Sequence, residues 1–225
     1  MFDLGQEVYV RELDAVFFPF GNRLFVAYLS SGKVREVKVP DNWNIDSTWD
    51  FYVKVSEDGS RVLMSDGNTL LVTDNELKEQ YTIRCNYSYR CSAVFKKDIL
   101  YVVADGYLFL YDGKTGELLE KYEMTLYGIG NSDLVFDDAN HRLYFRTGDQ
   151  ISIFDTETWV EVACVKNAYC YNAASDRIYV YSYMVSTECT PGYFKHYSLD
   201  DLIQKAEDML GNQELSVEIR SKYGI

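Results

Sequence analysis

Two histidines, five cysteines and a few aspartates at turns are the residues here that could do acid–base, nucleophilic or metal chemistry. His141 stands at a turn, and His196 alternates within a strand-like "YFKHYS". Neither has a Ser, Cys or Asp partner at motif spacing, and G-x-S-x-G, H-E-x-x-H and P-loop strings are missing. A serine hydrolase or a zinc enzyme is therefore not expected. Four cysteines form two equally spaced pairs, Cys85 with Cys91 and Cys164 with Cys170. That spacing exceeds the roughly two to four residues between zinc-knuckle ligands. Buried thiols acting as small apolar side chains are the expected reading, with a local disulfide inside a pair as the alternative.

Asp14, Asp50 and Asp133 each stand just before the first strand of a strand-rich unit. If those strands converge, the three carboxylates could share a divalent cation. The competing reading is ordinary turn capping, which Asp favours through local hydrogen bonds. Ser92 and Asn172 occupy the corresponding places in two other units, so such a ring would be incomplete. No metal or other cofactor is expected.

Tyrosine is the other chemical signature, with 20 residues, seven of them in the clusters "NYSYRCS", "AYCYN" and "YVYSYM". A phenol buries a large ring yet keeps a polar tip, so it suits both sheet packing and protein contacts. The stretch Val185–Gly192 reads as a projecting loop. With it, Tyr181, Tyr183, Glu188 and Tyr193 are the candidate partner-binding residues.

These residues need elements to hold them. The chain has 225 residues, a formal charge of −13 and no low-complexity linker, which reads as one domain plus a C-terminal appendage. The acidity argues against nucleic acid and anionic membrane surfaces as partners and leaves a protein partner open. No apolar run approaches the ~18 residues of a membrane span, and the N-terminus lacks signal-peptide order. An odd number of scattered cysteines suits a reducing compartment, so a cytoplasmic location is expected.

The same strand pattern recurs five times: "NRLFVAY", "SRVLMSD", "DILYVVA", "HRLYFRT" and "DRIYVYS". Their anchors, Leu24, Val62, Leu100, Leu143 and Ile178, lie roughly 40 residues apart, the period of a four-stranded propeller blade. Alternating strands flank each one, separated by Asp-, Asn- and Gly-containing turns. "SEDGSRVLMSDGNTLLVTD" and "DGYLFLYDGKTGELLEKYEM" resemble the WD40-like and YVTN-like β-propeller repeats. The Gly-His and Trp-Asp dipeptides of WD40 repeats are absent, and Tyr111-Asp112 and Phe154-Asp155 stand in the second position. The resemblance implies an all-β fold, a β-propeller of about five four-stranded antiparallel blades. The expected blades cover 14–48, 49–88, 89–129, 130–167 and 168–198. The strand at 6–13 is expected to complete the last blade and close the ring. Lactonase-like propellers hold a divalent metal in the central channel, which gives the aspartate trio its rival reading.

The segment 199–225 reads as a short helical appendage. Ser198 and Asp201 make a capping-box-like start, an apolar stripe runs through Leu202, Ala206 and Leu210, and Gly211 stops it. It resembles the helical tail that follows WD40 arrays in bacterial multidomain signalling proteins. The expected function is thus a non-catalytic protein-interaction or sensor module that could form part of such a larger signalling protein, and the alternative is a divalent-metal-dependent hydrolase or lactonase with its site in the central channel.

Overall fold

A computed structural model describes residues 7–20, 23–41, 43, 51–85, 91–124, 134–182 and 190–195, together with Gln204 and Asp208. These residues fold into five antiparallel sheets in a propeller-like arrangement. The first sheet contains β1 (Val8–Val10), β2 (Ala15–Phe20), β3 (Arg23–Tyr28) and β4 (Lys33–Val37). The second contains β5 (Tyr52–Val55), β6 (Arg61–Ser65), β7 (Thr69–Asp74) and β8 (Glu79–Arg84). The third contains β9 (Ser92–Lys96), β10 (Ile99–Ala104), β11 (Tyr107–Asp112) and β12 (Leu118–Glu123). The fourth contains β13 (Leu134–Asp137), β14 (Arg142–Thr147), β15 (Gln150–Asp155) and β16 (Glu161–Lys166). The fifth contains three described strands, β17 (Ala168–Asn172), β18 (Arg177–Ser182) and β19 (Thr190–Lys195).

Each sheet is a meander, so neighbours in sequence are neighbours in space. Burial explains the composition of each position. Every residue of β6 is buried because both faces of the second sheet are covered, whereas β4, β12 and β16 carry mostly exposed residues and form outer edges. Four hydrophobic clusters glue successive sheets together. Phe17, Leu24 and Val26 meet Val53, Val62 and Met64 between the first two. Leu63 and Val72 meet Ala93, Leu100 and Val102 across the next interface. Val103 and Leu108 meet Leu143 and Phe145 at the third, and Tyr144 and Ile153 meet Tyr171 and Ile178 at the fourth. Among the described residues no such cluster joins the fifth sheet to the first.

The turns between the third and fourth strands, β7–β8, β11–β12 and β15–β16, repeat one chemistry. Asp112 Oδ1 accepts hydrogen bonds from the Lys114 and Thr115 amides, both at 2.8 Å. Asp155 Oδ1 accepts from Glu157 and Thr158 at 3.1 and 2.9 Å, and Asp74 Oδ1 accepts from Glu76 and Lys78, both at 2.9 Å. Each turn then needs a left-handed residue, supplied by Leu77, Gly116 and Trp159. Trp159 tolerates that conformation while its ring packs on Tyr101 and Tyr122. The Asp of the Tyr-Asp and Phe-Asp dipeptides is thus a turn acceptor.

Two expectations are corrected. The strand at 6–13 does not complete the last blade: β1 pairs with β2, Val8 opposite Phe17 and Val10 opposite Ala15, as the inner strand of the first sheet. Turn geometry confirms the shift. The Leu29 amide bonds the Asp14 carbonyl as the Gly113 amide bonds Asp98 and the Thr156 amide bonds His141. β3 is therefore a third strand, and β2, not the "NRLFVAY" strand, takes the second place. The alternation of one short strand fits either place equally well, which is why Leu24 fits the repeat one strand out of step.

The expected α-helical appendage is the second correction. The architecture is all-β: among the described residues there is no helix of seven or more residues; three-residue 3-10 turns lie at Arg11–Leu13 and Asp138–Asn140, and Gln204 and Asp208 are single residues in helical geometry. The segment 199–225 that carried the expectation lies, except for single residues Gln204 and Asp208, outside the described residues. An apolar stripe read from spacing alone carries no partner sheet with it, so it does not establish an appendage. The resemblance that rested on that tail lapses with it, and the propeller-like sheets remain.

Candidate functional site

Among the described residues no group of three or more His, Cys, Asp or Glu side chains is placed to hold a metal ion. Asp14 sits at the left-handed position of the β1–β2 turn, with φ of 45°, and its Oδ2 accepts the Ser30 amide at 3.0 Å. It precedes a second strand rather than an inner one. Asp50 and Asp133 lie outside the described residues. This weighs against the hydrolase or lactonase alternative. His141 takes the same turn position in the fourth sheet, with Nδ1 3.7 Å from Glu157 Oε1 at an exposed site, and His196 is outside the described residues.

The four placed cysteines are free thiols. Cys85 and Cys91 are buried, their amides donating to the adjacent carbonyls of Asn68 and Gly67, both at 2.8 Å. Contact with the Cys85 thiol, together with burial, pushes the Cys91 thiol well up and keeps it protonated. The second pair departs from the buried expectation: Cys164 is exposed on the outer strand β16, and Cys170 is half-buried on β17. The outer strand β16 is exposed along most of its length whereas β17 lies against the fourth sheet, so equal spacing does not mean equal burial.

The inner strands converge on one cavity of about 240 Å³. β5 contributes Lys54, β9 contributes Val94, and β13 contributes Leu134 and Val135. Tyr144 and Arg146 enter from β14, and Cys170 and Tyr171 from β17. Its wall is braced by the stacked rings of Tyr144 and Tyr171, 3.4 Å between centroids. The Tyr171 hydroxyl lies 2.9 Å from Asp137 Oδ2 and 3.1 Å from Asp176 Oδ1, tying the fourth and fifth sheets. Burial, and then the Tyr144 hydroxyl and the Asp137 carboxylate, hold the Tyr171 phenol protonated far above its usual range. Sequence reasoning missed this pocket. Lys54 and Arg146 stand far apart in the chain, on the inner strand β5 and the second strand β14 of different sheets, and no local pattern brings them together.

A second feature is the face of the first sheet that turns away from the second. Strand alternation puts Val16, Phe18, Phe25 and Ala27 there, with Phe18 and Phe25 stacked at 5.7 Å. Tyr9, Phe20 and Val34 extend it and are each more than half exposed, at 56, 56 and 60%. Arg23 borders it, lying over the Phe25 ring and paired with Glu36.

Of the tyrosine-loop candidates, Tyr193 on β19 is exposed and lies under the Arg177 guanidinium, 4.4 Å from its ring centre. Tyr181 lies on β18 opposite Pro191, while Tyr183 and Glu188 are outside the described residues. Thr190 to Gly192, read as part of a loop, begin β19 and pair with Ser182, Tyr181 and Val180. A Pro on this edge strand is tolerated because it need not donate to a ladder.

These features belong to a propeller-like class of protein, and comparisons with known proteins agree at the level of fold. No protein-family model matches the chain, and no curated protein matches it in sequence. The crystal structure of BamB from Moraxella catarrhalis aligns over 85% of this chain and 61% of its own, with a TM-score of 0.55 and 13% identity. The β-propeller domain of Myceliophteria thermophila Cps50 (Swd1) aligns over 86% of this chain and 72% of its own, with a TM-score of 0.57 and 11% identity. The chain therefore spans about three-fifths of the BamB chain it matches. Among the described residues no helix is long and apolar enough to cross a membrane.

Proposed function

We propose that the chain is a non-catalytic, cytoplasmic protein-interaction module. Its rigid sheets present the outer face of the first sheet to a folded partner with an apolar β-sheet surface. The observation that carries this reading is the patch formed by Tyr9, Val16, Phe18, Phe25 and Val34. The opposite face of the same sheet packs on another sheet through Phe17, Leu24 and Val26, so face-to-face sheet packing already operates here. Contiguous exposed apolar surface rimmed by charge is characteristic of protein contact sites, and aromatic side chains concentrate binding energy.

The test compares partner recovery by the full chain, by a Phe18→Glu/Phe25→Glu variant, and by a Val162→Glu control on the outer strand β16. A defined partner held by the full chain and the control, and lost from the double variant with an unchanged melting profile, supports the reading. A partner retained by the double variant, or lost equally from the control, overturns it.

A further inference from the structure

Four cross-strand pairs on the second and third strands each face the following sheet: Phe17–Val26, Leu63–Val72, Val103–Leu108 and Tyr144–Ile153. Their side chains are at most 3% exposed. The matching pair of the fifth sheet is Tyr179–Tyr193. Ile178 and Val180, on either side of Tyr179, pack on the fourth sheet, so alternation turns Tyr179 the other way. Tyr193 is 54% exposed, its ring 6.4 Å from that of Tyr179 and 4.4 Å from the Arg177 guanidinium carbon. The first sheet shows the converse. Met64–Leu71 and Leu143–Phe154 face the preceding sheet and are at most 1% exposed. Phe18–Phe25 takes that place in the first sheet, and both rings are only half-buried. Val34, opposite Ala27, continues the same face and is 60% exposed. The two end faces are the two halves of one more interface of the kind that already occurs four times.

We infer that these halves meet between molecules: the Tyr179–Tyr193 face of one copy packs on the Phe18–Phe25 face of a second copy of this chain. This rests on the partner face proposed above and names its occupant. What selects a second copy is continuity with the existing interfaces. Each end carries the mating half that the other end lacks, at the same strand positions and with aromatic side chains suited to sheet packing. Tyr193 and Val34 would not keep their exposure if the fifth sheet closed on the first within one molecule. The contact is heterologous, so it ends in a closed ring of copies or continues as a filament. Each copy carries a formal charge of −13, so added salt should tighten the contact by screening repulsion.

The experiment measures the mass of the full chain by sedimentation and light scattering over a range of protein concentrations. Two variants are compared with it: Phe18→Glu/Phe25→Glu removes one half of the contact, and Tyr179→Glu/Tyr193→Glu removes the other. The parent should assemble, and its melting temperature should rise with protein concentration, because association stabilises the native state. Each variant alone should need about tenfold or more higher concentration to assemble. Mixed in equal amounts, the two should form a dimer and nothing larger, since one copy keeps the tyrosine half and the other the phenylalanine half. Both variants must melt cooperatively; where one does not, Val34→Glu or Tyr193→Glu, at exposed positions, takes its place. A parent that stays monomeric, or a mixture that fails to dimerise, overturns the inference, while a defined partner recovered through Phe18 and Phe25 would still uphold the reading above. Assembly lost from the phenylalanine variant and kept by the tyrosine variant would mean that two first sheets meet, which also overturns this inference alone.

Discussion

The Asp14 carboxylate reaches across a turn to accept the Ser30 amide at 3.0 Å, doing for the first sheet what Asp112 and Asp155 do from within their own turns. In the third and fourth sheets the strand-end aspartate accepts the amide two residues on. In the first sheet that place belongs to Tyr28, whose carbonyl accepts the Gly32 amide as Asp112 accepts Gly116 and Asp155 accepts Trp159. The acceptor has moved to a neighbouring hairpin, and the bond is kept.

Replacing Asp14 should therefore cost folding stability. Asp14→Ala loses the acceptor and leaves φ of 45° to a residue without the short polar side chain that eases the left-handed region, for about 1–2 kcal/mol by urea titration. Asp14→Asn keeps an acceptor and tolerates the left-handed backbone, so it should fall within about 0.5 kcal/mol of the parent.

The inner position of β1 predicts sensitivity at Val10. Its side chain is 5% exposed and belongs to the cluster shared with Phe51 and Val53 of the next sheet. Val10→Asp should cost about 2–4 kcal/mol, since it strands a carboxylate in an apolar interface. The exposed neighbour provides the control: Tyr9→Asp should change melting little.

Gly113 is fixed by packing rather than by backbone angle. A Cβ there would stand 2.8 Å from the Asp98 carbonyl and 2.5 Å from Arg61 Nη1. The guanidinium is itself buried between sheets, over the Phe95 ring and 3.3 Å from the Lys97 carbonyl. Gly113→Ala should destabilise by about 1–3 kcal/mol, because a backbone carbonyl cannot swing away. Arg61→Ala in the same background should recover part of the loss, measurable by a double-mutant cycle.

Tyr171→Phe removes the hydroxyl shared by Asp137 and Asp176 while keeping the ring on Tyr144. The expected loss is about 1–2 kcal/mol, or a drop of a few degrees in melting temperature for a chain of this size. A structure of the variant should show the fourth and fifth sheets unmoved, because the stacked rings remain.

Acid should unfold the protein partly through its turn aspartates. The Thr158 amide, opposed by some desolvation and helped by Arg142, holds the Asp155 carboxyl down at about 2. Its unfolded value is about 3.9, so the stabilisation is fully present above that pH and disappears as pH falls through the folded value. Asp155→Asn should flatten the pH dependence of melting between those limits and leave the dependence near neutrality unaltered. An equally steep acid limb in the variant would show that Asp155 plays no part.

The five repeated strand groups were legible because alternation and turn chemistry are local: Gly116 and the acceptors Asp74, Asp112 and Asp155 mark their hairpins without help from the rest of the chain. The position of β1 and the cavity between Lys54 and Arg146 were decided only in three dimensions. A two-residue period says which side chains share a face, but not which strand lies innermost or which faces meet. Those choices rest on packing between distant sheets, where Phe17 must find Met64 and Tyr144 must find Tyr171, and no short stretch of residues encodes them.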